Sequence, residues 1–573
     1  MFDSVPPSGV AAGRALLVVI VFAASTALGG PACSSGGGSS GTGGPGGSSG
    51  TGGTGGTGGL GGSGGTGAID AIERPDALDA PIEPEDAADA TDSPTTDAPA
   101  EVAPPADGGV IGEWAVFVND DSQNDILAVA PYPDGSSLAS GWFLINGTLL
   151  GAPTAAGGFL IRLNADGTLA WKQTARIPSV TKMVTLPDGT FVGVGYSIGL
   201  SVVFGPGEPK ETTLPGRGGG LDPYLARFNG DGTLVWANRA GVTTDWGISA
   251  FDALADGSSF VAGTFGPDIT FGAGTPQAVH LVAGGGADPC IARYTPAGAL
   301  VWAKQITGPA GESLNDLKAL ADGSTVAVGS FWMPAIFGRG EARETTLTPA
   351  GGVDAFVARF ASDGSLEWAR AIGVSPPATV GVRRLALLPD GTFYITGYFS
   401  GTISFGAGGP SITGAGSRSG FLARGRADGS IAWARPMNGD ASDSSIDGMQ
   451  LVRLANGDLV VAGDLYRGAT FGAGTPAAIA FTPLGLTDQF MARFSAAGDF
   501  VSGLEIGGPI YESVTALAPS GDAVIAGVTF GSLGPDTVTR FGFSSSVTLR
   551  PGTARQVTYT GQYYDDFIGR IVP

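Results

Sequence analysis

The stretch YLARFNGDGTLVW, residues 224 to 236, holds an apolar run ending in Ala-Arg-Phe, a turn carrying Asp-Gly, and a second apolar run carrying Trp. Runs this short, rich in Val, Leu and aromatic residues, suit strands better than helices. Asp-Gly between two such runs is hairpin chemistry, and a two-residue hairpin of this kind needs φ > 0 at both central positions. The pattern returns as FLIRLNADGTLAW at 159 to 171, CIARYTPAGALVW at 290 to 302, FVARFASDGSLEW at 356 to 368 and FLARGRADGSIAW at 421 to 433. FMARFSAAGDFVS at 490 to 502 lacks the Trp, and FIGRIVP at 567 to 573 holds only the first half. The arginines stand at 162, 227, 293, 359, 424, 493 and 570, so the period is near 66 residues.

Between these copies lies a second element: an apolar strand, a turn of the Asp-Gly kind, and a Val-rich strand ending in Gly. VTLPDGTFVGVG at 184 to 195 and KALADGSTVAVG at 318 to 329 are examples, and the closing glycines are 141, 195, 263, 329, 397, 463 and 527. A third marker, Phe-Gly, recurs at Phe204, Phe271, Phe337, Phe405, Phe471 and Phe541. Two strand pairs per period and seven periods predict an all-β fold, a seven-bladed β-propeller of four-stranded blades over residues 111–573. Glu113-Trp114-Ala115 has the character of a fourth strand, and the last copy stops at its third, so the N-terminal strand is expected to complete the C-terminal blade and remove the open edge. A solenoid is the alternative, and it would call for capping repeats instead.

Strand, Asp-Gly turn, strand to Gly, then Ala-Arg-Phe…Asp-Gly…Leu-x-Trp resembles the bacterial seven-bladed propeller repeats of the SBBP type. It is more distantly similar to quinoprotein-dehydrogenase propellers, in which a Gly…Trp motif docks neighbouring blades. The resemblance implies architecture and says little of function. A quinone cofactor is not implied, because the likeness reaches only the Trp motif.

The N-terminal segment has a different composition. Ala15 to Leu28 is an apolar run of 14 residues behind the lone Arg14, followed by small residues and Cys33. A charged lead, a short apolar core and a small-residue exit are the marks of a secretory signal over residues 1–32. Ala32-Cys33-Ser34 resembles the lipidation site of bacterial lipoproteins, with Gly30 where that family prefers Leu. Residues 33–67 are a Gly/Ser/Thr-rich flexible linker, and 68–110 an acidic Pro/Ala-rich disordered linker with twelve acids against Arg74. The expectation is an exported chain, at the bacterial outer membrane or cell surface as a lipoprotein and otherwise secreted. Its only membrane contact would be the N-terminal lipid anchor, with the linkers spacing the propeller from the surface.

Net charge is −22 on a chain with 14% charged residues, which disfavours nucleic acid and anionic lipid as partners. One histidine, His280, and two cysteines, Cys33 and Cys290, leave no metal cluster, disulfide framework or nucleophile–base pair. Cys290 stands where other copies have Phe, which predicts a buried thiol. Trp171, Trp236, Trp302, Trp368 and Trp433 recur once per blade at one position, which favours structural blade docking over a carbohydrate-stacking array. One column does break the repeat. Aligned on the turns, the first strands carry Ala128, Lys182, Ala250, Asp316, Arg384, Gln450 and Val514, then two residues on Ala130, Val184, Asp252, Lys318, Ala386, Val452 and Ala516. Alternation puts these opposite the apolar column of Met183, Phe251, Leu317 and Leu385, and with the first strand innermost, as the resemblance to other propellers implies, some of the charges line the central channel. Lys182, Asp252, Asp316, Lys318 and Arg384 are therefore candidate channel ligand contacts, with mutual salt bridges as the competing reading. No cofactor is expected, and calcium has no sequence support. The functional expectation is a monomeric, non-enzymatic propeller that binds a protein or glycan ligand. The alternative is an extracellular polysaccharide hydrolase or lyase with carboxylates at the channel mouth.

Overall fold

The computed structural model describes residues 114–573 apart from short connecting stretches, the longest being 532–544 and 550–556. The signal segment, Cys33 and both linkers lie outside the described residues. No helix occurs among the described residues. The strands form seven four-stranded antiparallel blades. Blade 1 is Asn124–Pro131, Ser137–Phe143, Gly157–Leu163 and Leu169–Thr174. Blade 2 begins at Ser179–Thr185, blade 3 at Trp246–Ala253, blade 4 at Ser313–Ala319, blade 5 at Val380–Leu387, blade 6 at Ser445–Arg453 and blade 7 at Glu512–Ser520. Second and third strands are apolar almost throughout, as in Thr325–Phe331, buried at every position. Both faces of each blade are covered by a neighbouring blade, so the apolar residues run continuously instead of alternating.

Blade 7 closes the ring. Its third strand, Tyr564–Ile571, pairs with the first described strand, Trp114–Asp120, in the register Trp114↔Arg570 to Val118↔Asp566. The seven first strands touch one another in an unbroken circle around the axis.

The Asp-Gly turns are not the expected two-residue hairpins. Gly135 N–H donates to Tyr132 O at 3.1 Å and Tyr132 N–H to Ser136 O at 2.7 Å, with φ at +85° for Gly135. Among the described residues Arg467 is the one non-glycine with positive φ, so the Asp of each Asp-Gly keeps an ordinary conformation. This is a type I turn closed by a glycine bulge. The Asp acts through its side chain instead. Asp134 Oδ1 accepts from the Ser136 N–H at 2.9 Å, and the Asp-Gly-Ser/Thr triplets at Asp166, Asp188, Asp231 and Asp322 repeat that bond.

Each blade grips the next through these turns. Gly230 O, in the outer turn of blade 2, accepts from Arg162 Nη1 at 3.0 Å and Trp171 Nε1 at 2.9 Å, both of blade 1. Pro296 O takes Arg227 and Trp236 in the same way, and Ser362 O takes Arg293 and Trp302. Trp368 Nε1 donates to Ala427 O at 3.1 Å, and Trp433 lies against Gly498. Blade 6, which lacks the Trp, instead donates from Ser502 Oγ to Pro573 O at 2.9 Å.

Each period also holds a third hairpin between its second and third strands, such as Ala335–Phe337 with Thr345–Leu347. The Phe-Gly marker lies at the end of its first strand in blades 2, 3, 4 and 6 and just after it in blade 5, while Phe541 lies outside the described residues. In blades 1, 5 and 7 this hairpin hydrogen-bonds to the fourth strand of the preceding blade, as in Gly373↔Ser404.

Candidate functional site

A backbone bulge fixes where the variable column stands. Every first strand is irregular at the same place, between Val180 and Lys182 in blade 2 and between Leu314 and Asp316 in blade 4. The residue just after the bulge is Ala128, Lys182, Ala250, Asp316, Arg384 and Gln450 in blades 1 to 6. In blade 7 it is Ala516, not Val514, and the next position is Ala518. The first turn of that blade is shorter, with Ser520 paired directly to Ala523, so alignment on the turn slipped by two residues.

The column does not simply face the lumen. Its side chains lean across the seam onto the first strand of the next blade, while the intervening column packs into the core shared with the preceding blade. Asp252 Oδ2 accepts from Ala319 N–H of blade 4 at 2.8 Å. Asp316 Oδ2 accepts from Leu385 N–H of blade 5 at 2.9 Å, and its Oδ1 from Leu317 N–H at 2.9 Å. Arg384 Nε donates to Gln450 Oε1 of blade 6 at 3.1 Å, and Gln450 Nε2 to Thr515 O of blade 7 at 3.2 Å. Asp252, Asp316, Arg384 and Gln450 are thus each hydrogen-bonded to the next blade.

All five sequence-selected residues meet in one cluster on blades 2 to 5. Lys182 feels the charges of Arg384, Asp316 and Lys318, which belong to blades 4 and 5. Burial and the Arg384 charge push the Lys182 ammonium down to about 8. Burial works against the Lys318 charge as well, but Asp316 and Asp252 outweigh it and raise its pKa. Among the described residues, neither ammonium makes a hydrogen bond or an ion pair within 4.0 Å. The five tryptophans lie elsewhere, on the fourth strands.

Two groups escaped the sequence reading. Arg383 Nη2 donates to Asp447 Oδ2 at 3.0 Å, Arg418 Nη1 reaches the same oxygen at 3.4 Å, and both guanidinium groups lie over Tyr398. A column of buried acids, Asp222, Asp288, Asp354 and Asp488, opens the third strands five residues before the repeated Arg. Asp354 accepts from Ala350 N–H at 2.8 Å and Asp288 from Gly284 N–H at 3.1 Å, closing the loop before each strand. The signal was legible as Asp-x-aromatic-x-Ala-Arg, with Cys290 in the aromatic place after Asp288.

Cys290 is fully buried, and burial pushes its thiol far up. His280 is exposed and shares a hydrogen bond with Thr270 Oγ1. Among the described residues no group of three or more His, Cys, Asp or Glu is arranged to hold a metal ion.

No protein-family model and no curated protein matches the chain. Solved structures similar to it include the RRP9 WD40 repeats, at 10% identity over 80% of this chain and 100% of that chain with a TM-score of 0.36. The Cps50 (Swd1) propeller domain of Myceliophteria thermophila matches at 8% identity over 80% and 99%, TM-score 0.35. The WD40 propeller domain of Doa1 matches at 10% identity over 61% and 93%, TM-score 0.30.

Proposed function

We propose that the chain is a non-enzymatic binding module, an exported and envelope-anchored propeller that takes a protein or glycan ligand at its channel. The observation that carries this reading is the contrast between two repeated positions. The Arg/Trp grip keeps one chemistry from blade to blade because it builds the ring. The position after the bulge changes from Ala to Lys, Asp, Arg and Gln, although alanine suffices there in three blades. Symmetry is kept where the scaffold needs it and given up where a ligand would be met. Export and anchoring rest on the sequence before residue 34, and the repeat type on its likeness to SBBP propellers.

The test is a glycan array probed with the purified chain, with calcium and with chelator, alongside surface cross-linking of protein partners. Saturable binding to one glycan class, or one specific cross-linked protein, is the expected result. Capture of neither, or turnover of a polysaccharide, would remove the reading.

A further inference from the structure

The channel cluster carries more charge information than a generic binding surface needs. The chain as a whole is strongly acidic, at −22, yet three cations stand on the first strands of blades 2, 4 and 5, near enough to act on one another electrostatically. The two carboxylates beside them do not neutralise them by contact. Both Asp316 oxygens and one Asp252 oxygen are taken by backbone N–H groups. Arg384 uses Nε on Gln450 and Nη1 on the Arg383 carbonyl at 3.0 Å, which leaves Nη2. The Lys182 and Lys318 ammonium groups have no acceptor at all among the described residues. Both lysines are only partly buried, and neither ammonium is tied up by the described residues, so their donors are open to a ligand. A purely structural role is hard to sustain, because the Lys182 slot is alanine in blades 1, 3 and 7 and the Lys318 slot is alanine or valine in all blades but the third and fourth.

We propose that Lys182, Lys318 and the free edge of Arg384 hold a polyvalent oxyanion in the channel, a group bearing clustered carboxylates or a phosphate. Two ammonium groups and a planar guanidinium edge are the donor set such a ligand requires. The proposal rests on reading the channel as the binding surface and names the chemistry bound there. The oxyanion is either a free small molecule or the acidic group of a larger glycan.

The experiment titrates the purified full chain with citrate, inorganic phosphate and an oligogalacturonate at matched ionic strength, read by calorimetry and by thermal shift. The expected result is saturable stabilisation by at least one of the three, and which one responds separates a free anion from an acidic glycan. Lys182→Met with Lys318→Met should fold, since among the described residues neither ammonium makes a hydrogen bond or an ion pair within 4.0 Å that would be lost, and should bind about tenfold more weakly or worse. If the double variant fails to fold, Lys182→Met alone is read for the same loss. No response to any probe beyond the sodium chloride control would overturn the proposal, as would an unchanged response in the variants. Glycan or protein capture in the preceding test would stand regardless, so the two readings fail separately.

Discussion

Glu505 and Gln305 occupy the same slot in blades 6 and 3, opposite Phe490 and Cys290 respectively. Gln305 donates from Nε2 to Asp288 at 3.0 Å, whereas Glu505 meets the matching Asp488 with a second carboxylate. Burial and Asp488 push Glu505 up to about 7 and Glu512 up to about 8, and burial pushes Glu312 up to about 7. In the unfolded chain these groups lose their protons near the ordinary glutamate value. The folded protein therefore binds the extra protons between that value and about 7 to 8. Stability is present at mildly acidic pH and is lost as pH rises through the folded values. The melting temperature is expected to fall between about pH 5.5 and about pH 8.5, and Glu505→Gln should flatten that slope and add about 1–2 kcal/mol at the alkaline end. A variant with the parent's slope would show that Glu505 ionises freely in the folded state. The acids of this group were invisible as a set in the sequence because their contacts join a third strand, a fourth strand and the next blade. The channel charges were legible one by one, but which oxygen meets which backbone N–H was not, since that depends on the seam between blades.

At the scale of the element, the alternation of apolar runs and glycine turns located nearly every strand. It failed in two instructive places. The turn glycines were read correctly as positions of positive φ, but the preceding Asp was assigned the same conformation, when its role is to accept the Ser or Thr N–H two residues on. The inserted hairpin was seen only as its Phe-Gly marker, because strands of three residues carry no period. The closing glycines have a reason the sequence could not supply. The bulge presses a first-strand carbonyl against them: a Cβ on Gly329 would stand 2.0 Å from Ser313 O. In blade 7 the shifted register puts only side-chain atoms near Gly527, the closest being Ile126 Cγ2 at 2.5 Å. Gly329→Ala is accordingly expected to cost about 3 kcal/mol or prevent folding, and Gly527→Ala about 1 kcal/mol, measured by denaturant titration. Equal losses would mean that the bulge does not set the requirement.

For the whole molecule, the number of blades and the way the ring closes were both readable, because a repeat with complementary partial copies at its two ends has few other solutions. The function was not readable to the same degree, since a regular scaffold constrains the residues that build it and leaves the ligand to a handful that do not repeat. The first and last described strands must be neighbours in one sheet, for only then do blades 2 to 5 present their charges to an enclosed channel. The direct measurement pairs cysteines at two adjacent register positions, Val116→Cys with Ile568→Cys and, separately, Ala115→Cys with Gly569→Cys. Adjacent antiparallel pairs alternate in geometry, so one of the two should suit a cross-strand disulfide. Under mild oxidation, peptide mapping is expected to find the link joining the two strands in at least one variant, within the monomer. Free thiols in both variants, or links only between molecules, would contradict a closed ring.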